Sequence, residues 1–451
     1  MKKIKCLFAL STLLFFVLCF FTGCAGSGMD NIDSQELEDY EEDFIPENPE
    51  LIDFVPDAQM LGDFSAAQAI EKIASLGNGN YAIKITGTIT TDDIENLKTT
   101  MFTNTNRLIA LDLSETTGIT KLSERAFSKD GTDEDGYWCA YGVPLTAIIL
   151  PECITELGDD CFQKCINLKA VIAPGVIILR SYAFNDCDAL VTLKFAEVMD
   201  LMEESAIGWM NSITQITLNA KKIGNRMLSG CDKLTKVRIG PDVEEFDIEP
   251  FSDCCSIKQF IVVEENKHFK SVNGALYTAD GTRLIRYPPA LERTQFTLPA
   301  EVTVIDNWSF SYCKTEKVTL PNIKCIPYYA FFASQELQEV SIPVAEELGE
   351  SSFEYCPTLN KIELPNSLKT IKGEAFSRSD GLRSLYIPSS VENMGPYVFS
   401  EWESNQTINC QCQEDSIPEG WNDCWNKEVN YINGEYVYPT IKAKINWGVN
   451  P

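Results

Sequence analysis

The sequence predicts an α/β repeat fold, a solenoid of short parallel strands, and three observations carry that prediction. First, Leu-Asn-Lys-Ile-Glu-Leu-Pro (359–365) aligns with Leu-Gln-Glu-Val-Ser-Ile-Pro (337–343) and Leu-Arg-Ser-Leu-Tyr-Ile-Pro (382–388), and earlier copies start at Leu145, Leu168, Leu190, Ile213, Leu234 and Ile257. Second, an aromatic recurs at Phe162, Phe184, Phe251, Phe310, Phe331, Phe353, Phe376 and Phe399, with Ile207 and Leu228 filling the gap before Phe251. The last steps are 22, 23 and 23 residues or close to it, so the period is 22 to 23. Third, the Leu-x-x-Val-x-Ile segment alternates apolar and polar positions at its end, which suits a short strand whose inward side chains stack on the next turn. Proline then stops the ladder because it has no N–H to donate. One such unit cannot bury its own apolar face, so neighbouring units must stack into a continuous core. About eleven turns at roughly 4.8 Å per strand give a stack some 50 Å long.

From the N-terminus, Lys2, Lys3 and Lys5 precede an apolar run at 7–21 and then Thr22-Gly23-Cys24. That is the layout of an export signal, and the run falls short of the roughly 20 residues that span a bilayer. Phe21-Thr22-Gly23-Cys24 resembles the bacterial lipoprotein signal, with Phe21 where that family usually has Leu; the resemblance implies cleavage before an acylated Cys24. Ordinary cleavage near 25–27 is the alternative, and both place the chain outside the cytoplasm. Ten acids between Asp30 and Glu50, uninterrupted by Lys or Arg, predict an extended, self-repelling tether.

Residues 58–115 read as an N-terminal cap, with a helical pattern near 64–73, a strand at 81–85 and another at 108–113. The domains expected are therefore a signal at 1–23, a tether at 24–57, the cap at 58–115, repeats at 116–410 with a hairpin insert at 264–298, and a C-terminal cap at 411–451 holding Trp421, Trp425 and Trp447. Asn273-Gly274 and Asp280-Gly281 signal two tight turns within the insert. They account for the 59-residue step from Phe251 to Phe310.

The unit resembles the BspA-like leucine-rich repeats of bacterial surface proteins, which read roughly Ile-Pro-x-x-Val-x-x-Ile-Gly-x-x-Ala-Phe-x-x-Cys-x-x-Leu; residues 365–382 follow it closely. The insert, with Val-Asn-Gly-Ala-Leu-Tyr (272–277) and Leu-Ile-Arg-Tyr-Pro (284–288), resembles a spacer found between such repeats. Met210, Ser334, Ser379 and Trp402 stand where the family would place Cys, and a loop is inserted at 129–143. The resemblance implies a leucine-rich-repeat solenoid and a role in adhesion to host matrix proteins or other microbes.

Among 17 cysteines, Cys165, Cys187, Cys231, Cys254, Cys313 and Cys356 each follow the repeat aromatic position, held by Leu228 before Cys231, by three residues. One recurring structural position predicts a ladder of small buried thiols in preference to metal ligands or disulfides. A bridge such as Cys412 to Cys424 stays open, since spacing does not fix connectivity. Catalysis finds little support: His268 is the single histidine, and no nucleophile motif accompanies it. No metal or other cofactor is expected. Asp133-Glu-Asp-Gly136 has the look of a calcium loop, but a register with Gly136 sixth puts Gly131 and Gly142 where acids are required.

The balance of 37 basic to 66 acidic residues, net −29, argues against nucleic-acid binding. Against that background the outward strand positions from Ala147 to Tyr386 are basic, with Lys194, Lys236, Arg238, Lys317 and Lys361 against Glu339 and Glu363. These residues and Tyr386 are the expected binding stripe for a protein or glycan ligand of anionic character; cross-strand Lys–Glu pairing is the plainer reading of the same charges. The expected function is a surface-exposed, lipid-anchored adhesin or binding protein. An envelope scaffold facing the periplasm is the alternative, and a carboxylate-based glycan hydrolase is a third.

Overall fold

The computed structural model describes residues 49–132, 138–428, 430–432 and 435–450. Residues 40–451 form one compact unit and 1–39 another. The second of these lies outside the described residues, with the expected signal, Cys24 and most of the tether; so do residues 133–137 of the calcium-like loop.

The repeats stack as parallel strands on two ladders. The first ladder holds the Leu-x-x-Val-x-Ile segments. Gln59–Phe64, Gly79–Thr88, Arg107–Thr117, Leu145–Ile149, Ala170–Ile172 and Thr192–Lys194 form one sheet in that order, all parallel. Gln215–Leu218, Lys236–Ile239 and Gln259–Val262 form the next. Gln295–Thr297, Lys317–Thr319, Glu339–Ser341 and Lys361–Ile362 follow, then Ser384–Ile387, Thr407–Cys410 and Lys444–Asn446. The stack is therefore longer than the eleven turns expected, because strands at both chain ends, such as Gln59–Phe64 and Lys444–Asn446, continue it. The second ladder is made by short strands at the apolar pair after proline, from Lys121–Leu122 through Glu245–Phe246 and again from Cys325–Ile326 to Gly420–Trp421.

Between the ladders the chain turns through the aromatic position. The residues two before and two after it take left-handed backbone angles, as at Tyr182 and Asp186 (φ 58° and 59°) around Phe184 and at Glu374 and Arg378 (φ 56° and 55°) around Phe376. The tight path lets the aromatic amide reach the next turn, as from Phe353 to the Ala375 carbonyl at 2.9 Å. The rings then stack: Phe127, Phe162 and Phe184 lie 5.2 Å apart, and Phe310, Phe331, Phe353 and Phe376 continue at 5.0, 5.1 and 5.5 Å.

The cysteine positions behave as a donor ladder. Cys187 donates its S–H to the Phe162 carbonyl at 3.1 Å, Cys231 to Ile207 at 3.3 Å, Cys254 to Leu228 at 2.8 Å and Cys356 to Phe331 at 3.1 Å. At three of the four positions where Cys is replaced, the same bond persists: Ser334 donates to Phe310 at 3.0 Å, Ser379 to Phe353 at 2.6 Å and the Trp402 indole to Phe376 at 2.8 Å; Met210, the fourth, is buried and has no hydrogen to donate. Burial pushes the Cys165, Cys187, Cys254, Cys313 and Cys356 thiols up, Cys313 to about 11, so these five stay protonated. The thirteen cysteines whose side chains are described are free thiols, Cys412 and Cys424 included.

Helix is confined to the N-terminal part among the described residues, apart from one 3-10 turn at Glu414–Ser416. Ala66–Ser75 is capped by a Ser65/Gln68 box, and Thr91–Phe102, which the sequence reading missed, by a Thr90/Asp93 box. Both sit as crossovers between parallel strands. The insert forms antiparallel strands Phe269–Val272, Ala275–Thr278 and Arg283–Arg286. Asn273 and Gly274 (φ 52° and 82°) make the first turn, where two consecutive positive angles call for this pair. The three strands form a partition: Leu276 and Ile285 join the hydrophobic core of the preceding turns, whereas Ala275, Tyr277, Leu284 and Tyr287 join that of the following ones.

Candidate functional site

The outward face of the first ladder is where the expected stripe lies, and the structure divides it in two. Over the first turns it is covered. Ala82, Ala110, Ala147 and Ala170 pair across successive strands into one row of small side chains. Leu51, Val55 and Ala58 pack into the shallow channel they leave, together with Ile149 and Ile172. Residues 51–57 were expected to be unfolded tether; they are instead partly helical (Leu51–Phe54) and docked. The acid run stops at Glu50, and Leu51, Phe54 and Val55 then supply enough apolar surface to offset the ordering of a short segment. Ala147 is accordingly buried and not part of an open face.

Beyond this cover the face is open. Lys194 is paired in register with Ile172 and so is the first charged side chain past it. It stands on the lip of a cleft of about 380 Å³ where Thr192–Lys194 and Gln215–Leu218, successive strands of the first ladder, are not hydrogen-bonded to each other. Side chains close the two ends: Ser212 Oγ donates to the Leu190 carbonyl, and Asn219 Nδ2 to the Glu197 carbonyl at 2.6 Å. Lys236 and Arg238 project from the next strand, in register with Gln215 and Thr217 on one side and Gln259 and Ile261 on the other. Each has interactions of its own there.

Further along, register brings Lys317, Glu339 and Lys361 into one row. Glu339 bridges the two lysines at 3.7 and 2.5 Å, and the hydrogen bond from Lys361 holds its carboxyl below the usual range. Cross-strand pairing thus accounts for part of the basic excess, as the plainer reading of the sequence allowed. Tyr386 sits in a polar row, paired with Asn409, whose amide donates to Ser384 Oγ at 2.8 Å and whose Oδ1 accepts from Asn446 at 2.8 Å. The six residues of the stripe therefore do not converge on one point. They line a long face in three groups: Lys194 with the Lys236/Arg238 pair, the Lys317–Glu339–Lys361 row, and Tyr386 with its amide neighbours. The alanine row is the part sequence reasoning missed, although a column of Ala at a position otherwise filled by Thr, Lys or Gln is visible once the strands are aligned.

Six copies of the BspA type leucine rich repeat region match the sequence, over residues 136–270 and 290–420. The chain belongs to this family. The gap between the matched blocks holds part of the hairpin partition. Similar solved structures include a leucine-rich repeat protein from Eubacterium ventriosum (19% identity, 60% of this chain and 92% of that one, TM-score 0.43). A leucine rich cell surface protein from Faecalibacterium prausnitzii is 21% identical over 68% of this chain and 88% of that one, with a TM-score of 0.49. The pneumococcal vaccine antigen PcpA is 19% identical over 79% and 76%, with a TM-score of 0.42. No curated protein matches the sequence.

Proposed function

We propose that this BspA-type protein is exported, anchored to the bacterial envelope through Cys24, and binds a macromolecular partner, a protein or an acidic glycan, on the open part of its first-ladder face, without catalysis. The observation that carries this reading is the exposure of alternate side chains along that face after Ile172. In Lys317–Thr319 and Ser384–Ile387, for example, inward residues are buried and outward ones reach solvent. Repeat stacks of this kind present extended surfaces of fixed spacing, suited to partners larger than a pocket can hold. Lys194, Lys236 and Arg238 give its first third a basic character inside an acidic molecule, which steers anionic partners toward it.

Protease shaving of intact cells tests the location: release of the repeat region, with a periplasmic control spared, is expected, and protection would favour an envelope scaffold facing inward. For the binding face, the folded Lys236→Glu, Arg238→Glu double variant should leave a heparin column at clearly lower salt than the wild type. Unchanged elution would remove the basic face as the site.

A further inference from the structure

The turns that follow the insert carry a second set of aromatics, outside the stacked core rings. Trp308 and Tyr329 stand two residues before a core aromatic, and Tyr312 and Tyr355 two after one, at the left-handed positions that flank it. Phe332 lies between them and joins their rings into one surface. Trp308 stacks on Tyr329 at 4.6 Å, and Phe332 meets both edge-on at 5.5 and 4.7 Å. The same ring lies 5.8 Å from Tyr312 and 6.0 Å from Tyr355, so the surface runs across three successive turns. Trp308 is buried, Tyr329 and Phe332 are half-buried, and Tyr355 is 42% exposed. A continuous apolar patch left open to water marks a place where something docks.

Carboxylates border these rings. The Tyr328 ring meets Tyr329 at 4.1 Å, and its hydroxyl is pushed up by burial, by Tyr329 and by the charges of Glu249 and Glu350. Glu374 follows one turn after Glu350, and burial together with the charge of Glu350 pushes its carboxyl up. Among the described residues neither Glu350 nor Glu374 makes an ion pair: Lys372 and Arg378, whose charges reach them, are bonded to Glu347 and Glu401, each at 2.6 Å. One cation already uses this surface. The Arg378 guanidinium lies over the Tyr355 ring, 4.6 Å from its centroid, with Glu401 and Glu354 at 2.6 and 3.7 Å. A ring face with carboxylates beside it is thus a seat for a guanidinium within this chain, and the neighbouring rings and acids repeat the chemistry without the cation.

We propose that this aromatic surface docks an arginine-bearing basic segment of a partner protein, a guanidinium lying against Tyr329 and Phe332 with its charge met by Glu350 and Glu374. The rings call for a partner that stacks, and the acids select a cation over a neutral sugar. Arginine suits both, since its planar head stacks on a ring and keeps its donors free for carboxylates at the edge. This surface takes the charge opposite to that expected on the first-ladder face, and either site can fail without the other.

Calorimetric titration of the full chain with acetylated tetra-arginine amide, at an ionic strength of about 0.15 M to screen loose attraction to the acidic molecule, tests it. Saturation of one site with a dissociation constant of about 0.1 mM or tighter is expected. Tetra-lysine amide, of the same charge, should bind about threefold more weakly or worse. Tyr329→Ser, which removes a ring and no charge, should weaken tetra-arginine binding about fivefold. Glu350→Lys, an exposed change that leaves every ring in place, should do at least as much, and it decides the matter if Tyr329→Ser does not fold. The proposal is overturned by no saturation at about 1 mM, by equal binding of tetra-lysine, by unchanged affinity in Glu350→Lys or folded Tyr329→Ser, or by cellohexaose displacing the peptide.

Discussion

At Cys356 the thiol fills a space fully closed to solvent and donates to the Phe331 carbonyl of the preceding turn. Truncation to alanine removes both the bond and the sulfur's contacts, and Cys356→Ala should cost about 1–2 kcal/mol in urea unfolding. Cys356→Ser keeps a donor of similar reach and should cost under about 1 kcal/mol. Equal losses for the two variants would show that volume alone matters. The six repeat cysteines were legible in the sequence as buried small groups, because their spacing from the aromatic is constant. The donor role of Cys165, Cys187, Cys231, Cys254 and Cys356 was not, because size and polarity coincide in Cys. Three of the four departures carried the missing signal: Ser334, Ser379 and Trp402 differ widely in volume and share only a hydrogen to donate.

Among the elements, the hairpin insert matters most. Its central strand alternates with period two between the cores on either side, so each half of the stack is closed by the same three strands. Tyr287 then restarts the interrupted ring stack, 5.2 Å from Phe310, with its hydroxyl 2.9 Å from Thr315 Oγ1. Stability in such stacks is approximately a sum of turn and interface contributions. Tyr287→Ala should weaken the interface by about 3–5 kcal/mol and split a single unfolding transition into two, with hydrogen exchange rising first in one half. One cooperative transition in the variant would mean that the partition does not set the boundary. The turns of this hairpin were readable from Asn273-Gly274, because that pair has few other uses. Its burial on both faces was not readable, since alternation of Ala, Leu and Tyr looks the same in a strand with one wet side. The crossover Thr91–Phe102 escaped for a related reason: its apolar positions Ile94, Leu97 and Met101 are few, and its capping box was the stronger sign.

For the whole molecule, charge and burial act together on pH dependence. Burial holds Asp160, Asp186, Asp306, Glu354 and Glu374 above their ordinary values of 3.8 and 4.5. An acid with a raised folded value binds its proton more tightly folded than unfolded, so stability grows as pH falls toward and through that raised value. Glu339 works in the opposite sense, but its ion pairs stay open to solvent on one side and its share is small. Protonation also relieves the repulsion of a chain with net charge −29. The midpoint of thermal unfolding should therefore rise by about 2–4 °C between pH 7.5 and about 5, and calorimetry across that range would expose a fall if the buried acids did not dominate. The repeat period made the architecture legible from one end to the other. Length was underestimated because the outermost strands depart from the template while keeping its pairing. A final consequence comes from the donor ladder. Each side-chain donor of that ladder seeks a carbonyl of the turn before its own. A chain delivered N-terminus first thus finds each acceptor already laid down when its donor arrives, which gives assembly a built-in order of addition.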